Sequence, residues 1–150
     1  MQYRIAAKND IELLMQSRQD VLRAVNELGE DVRLSDELLD SSRRFFLEGD
    51  QTTVIATEDG RVIGCATMCF LELMPTFSHP TGKRARLMNV FTDEAWRGKG
   101  IAYRMVSMVI GIAWDRGVTE ISLDATEVGR PLYRKLGFRD SDECMVLTRD

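Results

Sequence analysis

The tetrapeptide Arg97-Gly98-Lys99-Gly100 constrains this chain more than any other stretch. It stands between a β-rich run that ends at Thr92 and an apolar helical pattern that begins at Ile101. Two glycines let the backbone take positive φ and let another molecule come close. A helix start leaves backbone N–H groups without partners, and the helix dipole adds partial positive charge there. Such a junction suits a phosphate or pyrophosphate, and Arg97 and Lys99 add full positive charge. The plain alternative is a loop-to-helix junction with exposed basic side chains. A short Gly-rich run does not by itself separate the two.

At 150 residues the chain is expected to be one domain, 1–150, with a core that needs neither metal nor disulfides. No apolar run has the length of a membrane span, and the first residues, Met1-Gln2-Tyr3-Arg4-Ile5, lack the apolar core of a signal peptide. The expectation is a cytoplasmic protein with no membrane partner. A net charge of −4 makes the whole chain a poor nucleic-acid binder. The charge is uneven. Acids dominate from Glu27 to Asp50, and bases dominate from Lys83 to Arg104. An anionic ligand near the Gly-rich turn fits this, as does a cationic second ligand near the acidic helices, although solvated helix faces account for most of the acids.

The three cysteines, Cys65, Cys69 and Cys144, are an odd count that favours free thiols. Cys65 and Cys69 fall on one strand about 13 Å apart, beyond the ~7 Å Cα limit of a disulfide. With one histidine in the chain no metal site is expected. All three thiols are expected to be small core residues.

Hydrophobic periodicity gives the element order. Gln2–Ala7 reads as a strand. Asp10 is a helix N-cap, followed by Ile11, Leu14, Met15, Leu22 and Val25 at helical spacing, with Gly29 as a stop. A second helix starts at Ser35 and ends at Gly49. Thr52–Thr57 is a strand, Glu58-Asp59-Gly60 a hairpin turn, and Arg61–Leu73 a long central strand. Its Ile63, Cys65, Thr67 and Cys69 are expected on one face and Val62, Gly64, Ala66, Met68 and Phe70 on the other. Pro75–Gly82 is a loop and Lys83–Thr92 the next strand. The helix after Gly100 carries Ile101, Met105, Val109, Ile112 and Ala113 on one stripe and ends at Arg116-Gly117. Val118–Ala125 is a strand, Pro131–Leu136 a short helix, and Phe138–Thr148 a last strand. The result is a mixed α/β sheet with helices on both faces and one parallel, right-handed crossover.

Two motifs stand in order within this frame: Arg97-Gly98-Lys99-Gly100-Ile101-Ala102 after a strand, and Gly129-Arg130-Pro131-Leu132-Tyr133-Arg134-Lys135-Leu136-Gly137-Phe138. Together they resemble the GNAT superfamily of acetyl-CoA-dependent N-acetyltransferases. Arg97, Gly100 and Ala102 fall in register with that family's Arg/Gln-x-x-Gly-x-Gly/Ala signature, and the second motif matches its frequent Leu-Tyr-x-x-x-Gly-Phe ending. The resemblance implies a central mixed, mostly antiparallel sheet and a co-substrate, acetyl-CoA, with no metal. It implies that backbone N–H groups of Gly98, Lys99, Gly100, Ile101, Ala102 and Tyr103 hold the pyrophosphate. The strand edge at Val90, Phe91 and Thr92 would pair with the pantetheine arm, and an N–H there would polarise the thioester carbonyl. Tyr133 would protonate the departing thiolate; a half-buried packing role is the alternative. The acceptor would be a small-molecule or peptide amine, attacked directly in a ternary complex, and the assembly a homodimer. The alternative is a non-catalytic acyl-CoA-binding sensor module.

The chain departs from the family pattern in two places. Many members carry a glutamate on the cofactor strand, where this chain reads Arg86-Leu87-Met88-Asn89. Glu72, Asp124, Glu127 or solvent are the remaining candidates for the base. Many also place an asparagine after the following strand, where this chain has Asp124-Ala125-Thr126-Glu127, so that contact is either absent or made by Thr126. His79 is expected to be a surface loop residue beside the acceptor pocket, with gating or deprotonation as the functional alternative. Arg130 is expected to pair locally, and Trp96 and Trp114 to anchor packing.

Overall fold

The structure is a computed structural model that describes residues 1–149. Five strands, β1 (Gln2–Ile5), β2 (Gln51–Glu58), β3 (Arg61–Glu72), β4 (Lys83–Thr92) and β5 (Glu120–Ser122), lie in the order β1-β2-β3-β4-β5. All pairings are antiparallel except β4 with β5. Helices α1 (Ile11–Val25), α2 (Asp36–Glu48), α3 (Ile101–Asp115) and α4 (Arg130–Lys135) complete the fold.

The layers follow from alternation along the strands. On one face Val54, Ala56, Ala66, Met68, Ala85 and Leu87 pack against Ile101, Met105, Val106, Val109 and Ala113 of α3. On the other, Ile55 and Cys65 meet Leu14, Met15 and Val21 of α1 and Phe46 of α2. Val54, Ile55, Met68, Met105, Val106 and Val109 are wholly buried, so the centre of the sheet is dry on both sides.

Two β-bulges alter the expected register. Opposite Ala56 and Thr57 the β3 partners jump from Gly64 to Val62, so Ile63 is the extra residue. Its side chain therefore joins the α3 face and Val62 packs on the α1/α2 face, the reverse of simple alternation. The second bulge lies in β4. Cys65 pairs with Phe91 and Thr67 with Met88, which leaves Asn89 and Val90 opposite one β3 residue. Asn89 has φ 59, a conformation in which Asn is enriched among non-glycine residues.

Other boundaries differ in small ways. Helix α1 stops at Val25 with Asn26 as its C-cap rather than running to Gly29. Ser35 caps α2 as expected, accepting from the Leu38 N–H at 3.1 Å. Strand β5 is three residues long, shorter than Val118–Ala125, although Ile121 and Leu123 still pack inward. The expected strand over Phe138–Thr148 is absent, and Met145, Val146 and Leu147 are exposed. A strand needs a ladder partner, and β5 offers too short an edge within this chain to hold one.

Asp10 does not cap α1. Its carboxylate accepts from the Ala7 N–H at 2.7 Å and takes both terminal nitrogens of Arg4, at 2.7 and 2.9 Å. The hydrogen bonds from Arg4, then from Ala7, hold the Asp10 pKa down at about 2. A carboxylate depressed in the folded state adds stability above its unfolded pKa of ~4 and loses it as pH falls toward the folded value. Arg4 is partly exposed, so water screens the pair and the contribution is about 1–2 kcal/mol. Asp10→Asn is therefore expected to lower thermal stability at pH 7 and to bring variant and wild type closer between about pH 4 and pH 2. Thermal melts across that range read this.

Candidate active site

The Gly-rich turn is built as its composition dictates. Gly98 and Gly100 have φ 76 and 79, and a Cβ at either would meet nothing within 4 Å. The need for glycine here is conformational, and the space in front of the turn is open. Gly100 occupies the N-cap position of α3 in the left-handed region, without a capping side chain. The Gly100 carbonyl accepts from Arg104 N–H, so the N–H groups of Ile101, Ala102 and Tyr103 precede the helical ladder and lack a partner within it. They lie at the positive end of a 15-residue helix.

Positive charge is arranged around this end. Lys99 Nζ lies 5.5 Å from the centroid of the Trp96 ring, and Lys135 Nζ lies 5.4 Å from that of Tyr103. The second contact brings α4 against the first turn of α3, so the two sequence motifs meet in space. Arg97 turns back and donates through Nε to the Thr92 carbonyl at 3.0 Å, tying the turn to the end of β4.

Strand β5 pairs with β4 only at Arg84, Ala85 and Arg86. From Leu87 to Thr92 the β4 edge that faces away from β3 has no strand beside it. The β4 bulge sits at the start of this open length. Val90 is half-buried toward α3 and Phe91 is half-buried toward α1 and α2. The Thr92 hydroxyl is buried and has no hydrogen-bond partner. An open strand edge therefore runs into a turn of unpartnered amides.

Tyr133 lies on α4, half-buried in the α3-side core, with its ring edge-on to Phe138 at 5.9 Å between centroids. Burial pushes its phenol pKa above the ordinary value, so the ring stays protonated at neutral pH.

The remaining candidates find structural partners. His79 is largely covered, not a free loop residue. Its Nδ1 meets Thr119 Oγ1 at 2.8 Å and its Nε2 lies 3.3 Å from Glu120, which ties the 75–82 loop to β5. Asp124 pairs with Arg86 at 2.5 Å, and Glu127 lies 3.7 Å from Arg130. Glu72 sits across from Lys83 at the far end of the β3–β4 ladder. Thr126 Oγ1 accepts from the Gly129 N–H in the turn before α4. Arg130 pairs locally, with Asp140 at 2.6 Å. Trp96 packs on the core, whereas Trp114 is 51% exposed and anchors little. Cys65 is buried and burial pushes its thiol up to about 12, Cys69 is half-buried, and Cys144 is exposed rather than a core residue.

Sequence reading did not find Arg18 and Asn89. Arg18 Nη1 donates to Asn89 Oδ1 at 3.2 Å, across the gap between α1 and the β4 bulge. The available signal was an asparagine inside a strand, where that residue type is depleted.

Comparison with known proteins agrees with this architecture. A structure of a predicted acetyltransferase from Clostridium acetobutylicum with acetyl-CoA superposes with a TM-score of 0.86 at 31% identity, covering 98% of this chain and 95% of that one. A GCN5-related N-acetyltransferase from Ralstonia eutropha gives 0.79 at 24%, covering 98% and 97%. Among curated proteins, glucosamine 6-phosphate N-acetyltransferase of Trypanosoma brucei brucei is 30% identical over 59% of this chain and 58% of its own length. Thialysine N-epsilon-acetyltransferase of Bos taurus is 24% identical over 83% of this chain and 79% of its own. The chain spans about half to three-fifths of the length of the first curated relatives it matches. Residues 16–138 match the family model described as "Acetyltransferase (GNAT) family", and the chain belongs to that family.

Proposed function

We propose that the chain is an N-acetyltransferase that moves acetyl from acetyl-CoA to an amine by direct attack in a ternary complex. One observation carries this reading: the open edge of β4, from Leu87 to Thr92, leads into the unpartnered amides at the start of α3. A pantetheine amide chain can add to such an edge as a strand does. A pyrophosphate then falls where Gly98–Tyr103 present N–H groups and Lys99 and Lys135 present charge. An N–H within Val90–Thr92 would hold the carbonyl oxygen as it gains negative charge. Tyr133, kept protonated by burial, would give its proton to the leaving thiolate. Binding both reactants in one site supplies much of the rate by orientation alone. Of the candidate bases, Asp124 is ion-paired with Arg86, Glu127 lies 3.7 Å from Arg130 and Glu72 is remote on the ladder, which favours solvent as the proton acceptor.

The acceptor is a small molecule or a peptide amine, and the working compartment is the cytoplasm. Among the described residues no helix is long and apolar enough to cross a membrane. The single 1–150 domain works as a homodimer, for which the exposed apolar run Met145-Val146-Leu147 is the supporting feature.

Free-thiol release from acetyl-CoA over a panel of primary amines tests the reading. The expected outcome is amine-dependent release with one acetyl transferred per thiol. Tight acetyl-CoA binding without release for any amine would instead favour a sensor module.

A further inference from the structure

We infer that Arg18 reads an anionic group on the acceptor, so that the acceptor is an amine that also carries a phosphate or a carboxylate. This rests on the acetyl-transfer reading above and names its substrate class.

Arg18 sits in the middle of α1, half-buried between that helix and the β4 bulge. Its guanidinium has five donors, and one is used, on Asn89 Oδ1 at 3.2 Å. No carboxylate lies within 4.0 Å of it among the described residues, whereas Arg4, Arg43, Arg61, Arg84, Arg86, Arg116, Arg130 and Arg134 each have one. The nearest groups of acid type, the thiols of Cys65 and Cys69, are both kept protonated by burial and give it no counter-charge. A guanidinium taken partly out of water without a counter-ion is costly to keep.

The Asn89 oxygen is turned toward Arg18 by a directed chain of hydrogen bonds across the sheet. Asn89 Nδ2 donates to Thr67 Oγ1 at 3.2 Å, Thr67 shares a 2.7 Å bond with Thr53, and Thr53 donates to Gln51 Oε1 at 2.7 Å. Gln51 in turn donates to the Phe46 carbonyl at 3.0 Å. With its amide nitrogen committed to Thr67, Asn89 fixes one edge of the guanidinium and leaves the rest open. Asn89 directly precedes Val90–Thr92, the length assigned to the thioester. Arg86 adds to the positive field here, since both guanidinium groups act on the Cys69 thiol. Arg86 is already held by Asp124 and Ser122, whereas Arg18 has the Asn89 contact alone. Since Asn89 adjoins Val90–Thr92, an anion held on Arg18 would keep its molecule beside the strand length proposed for the thioester. A cation beside the acceptor amine also favours its neutral, nucleophilic form.

The test compares matched amines in the thiol-release assay at saturating acetyl-CoA: glucosamine 6-phosphate against glucosamine, and lysine against 1,5-diaminopentane. Wild type is expected to favour the anionic member of at least one pair by about 10- to 100-fold in kcat/KM, mainly through KM. The pair that responds tells phosphate from carboxylate. In Arg18→Gln that ratio falls toward one while acetyl-CoA affinity by calorimetry holds, and Arg18→Lys keeps part of the ratio. No preference in wild type for either pair, or a preference that survives Arg18→Gln, overturns the assignment. If no amine releases thiol, the acetyl-transfer reading fails on its own. Calorimetry of CoA-loaded protein with glucosamine 6-phosphate and with lysine then decides: binding that Arg18→Gln abolishes upholds the anion site, and absent or unaffected binding overturns it.

Discussion

Replacing Gly98 and Gly100 together by valine is expected to weaken acetyl-CoA binding by about 100-fold or more, roughly 2.7 kcal/mol. Both residues sit at φ near +80, which costs an L-residue about 1–2 kcal/mol each and more for a β-branched one. The turn escapes that cost only by changing φ, and the change swings the amides at the start of α3 away from a common point. Nothing in the protein stands within 4 Å of a Cβ at either position, so collision with neighbouring residues is not the cause. The core that packs on α3 is built from Ile101, Met105, Val106, Val109 and Ala113 and is untouched. Calorimetry with acetyl-CoA, beside a thermal melt, separates the outcomes. A folded variant with lost affinity supports the site, and one that binds as wild type places the pyrophosphate elsewhere.

Tyr133→Phe is expected to lower kcat by about 100-fold, the scale of general-acid catalysis, with acetyl-CoA affinity within about twofold. The phenol keeps its proton at neutral pH because burial raises its pKa. A departing thiolate is a weak enough base, with a thiol pKa of about 8.5, for a single positioned proton to matter but not to be indispensable. The ring itself, edge-on to Phe138, is retained by phenylalanine, so packing is held constant. Equal loss of kcat and of cofactor affinity would make Tyr133 a structural residue.

The chain order, the hairpin at Asp59-Gly60 and the β4–α3 junction were legible because each is marked locally. Glycines stand where φ is positive, apolar residues recur with the period of their element, and Lys83–Thr92 is delimited by loops on both sides. What was not legible depends on pairing between distant segments. The bulge at Ile63 reverses two side chains that alternation alone puts the other way. The bulge at Asn89 turns one asparagine toward α1, 71 residues earlier in the chain, and so creates the Arg18 contact. The apolar run Cys144–Leu147 has the composition of a strand, yet strand formation depends on an edge that composition does not reveal. The partners of the loop histidine, Thr119 and Glu120, were not legible for the same reason, since they lie some 40 residues on.

In the proposed arrangement one continuous site, the open β4 edge followed by the α3 amides, holds acetyl-CoA. Backbone amide NMR during titration with acetyl-CoA addresses it directly. The largest shifts are predicted at Val90–Thr92 and Gly98–Tyr103 together, with inorganic phosphate moving only the second group. Shifts confined to the Gly-rich turn and reproduced in full by phosphate, or centred away from both segments, would contradict it.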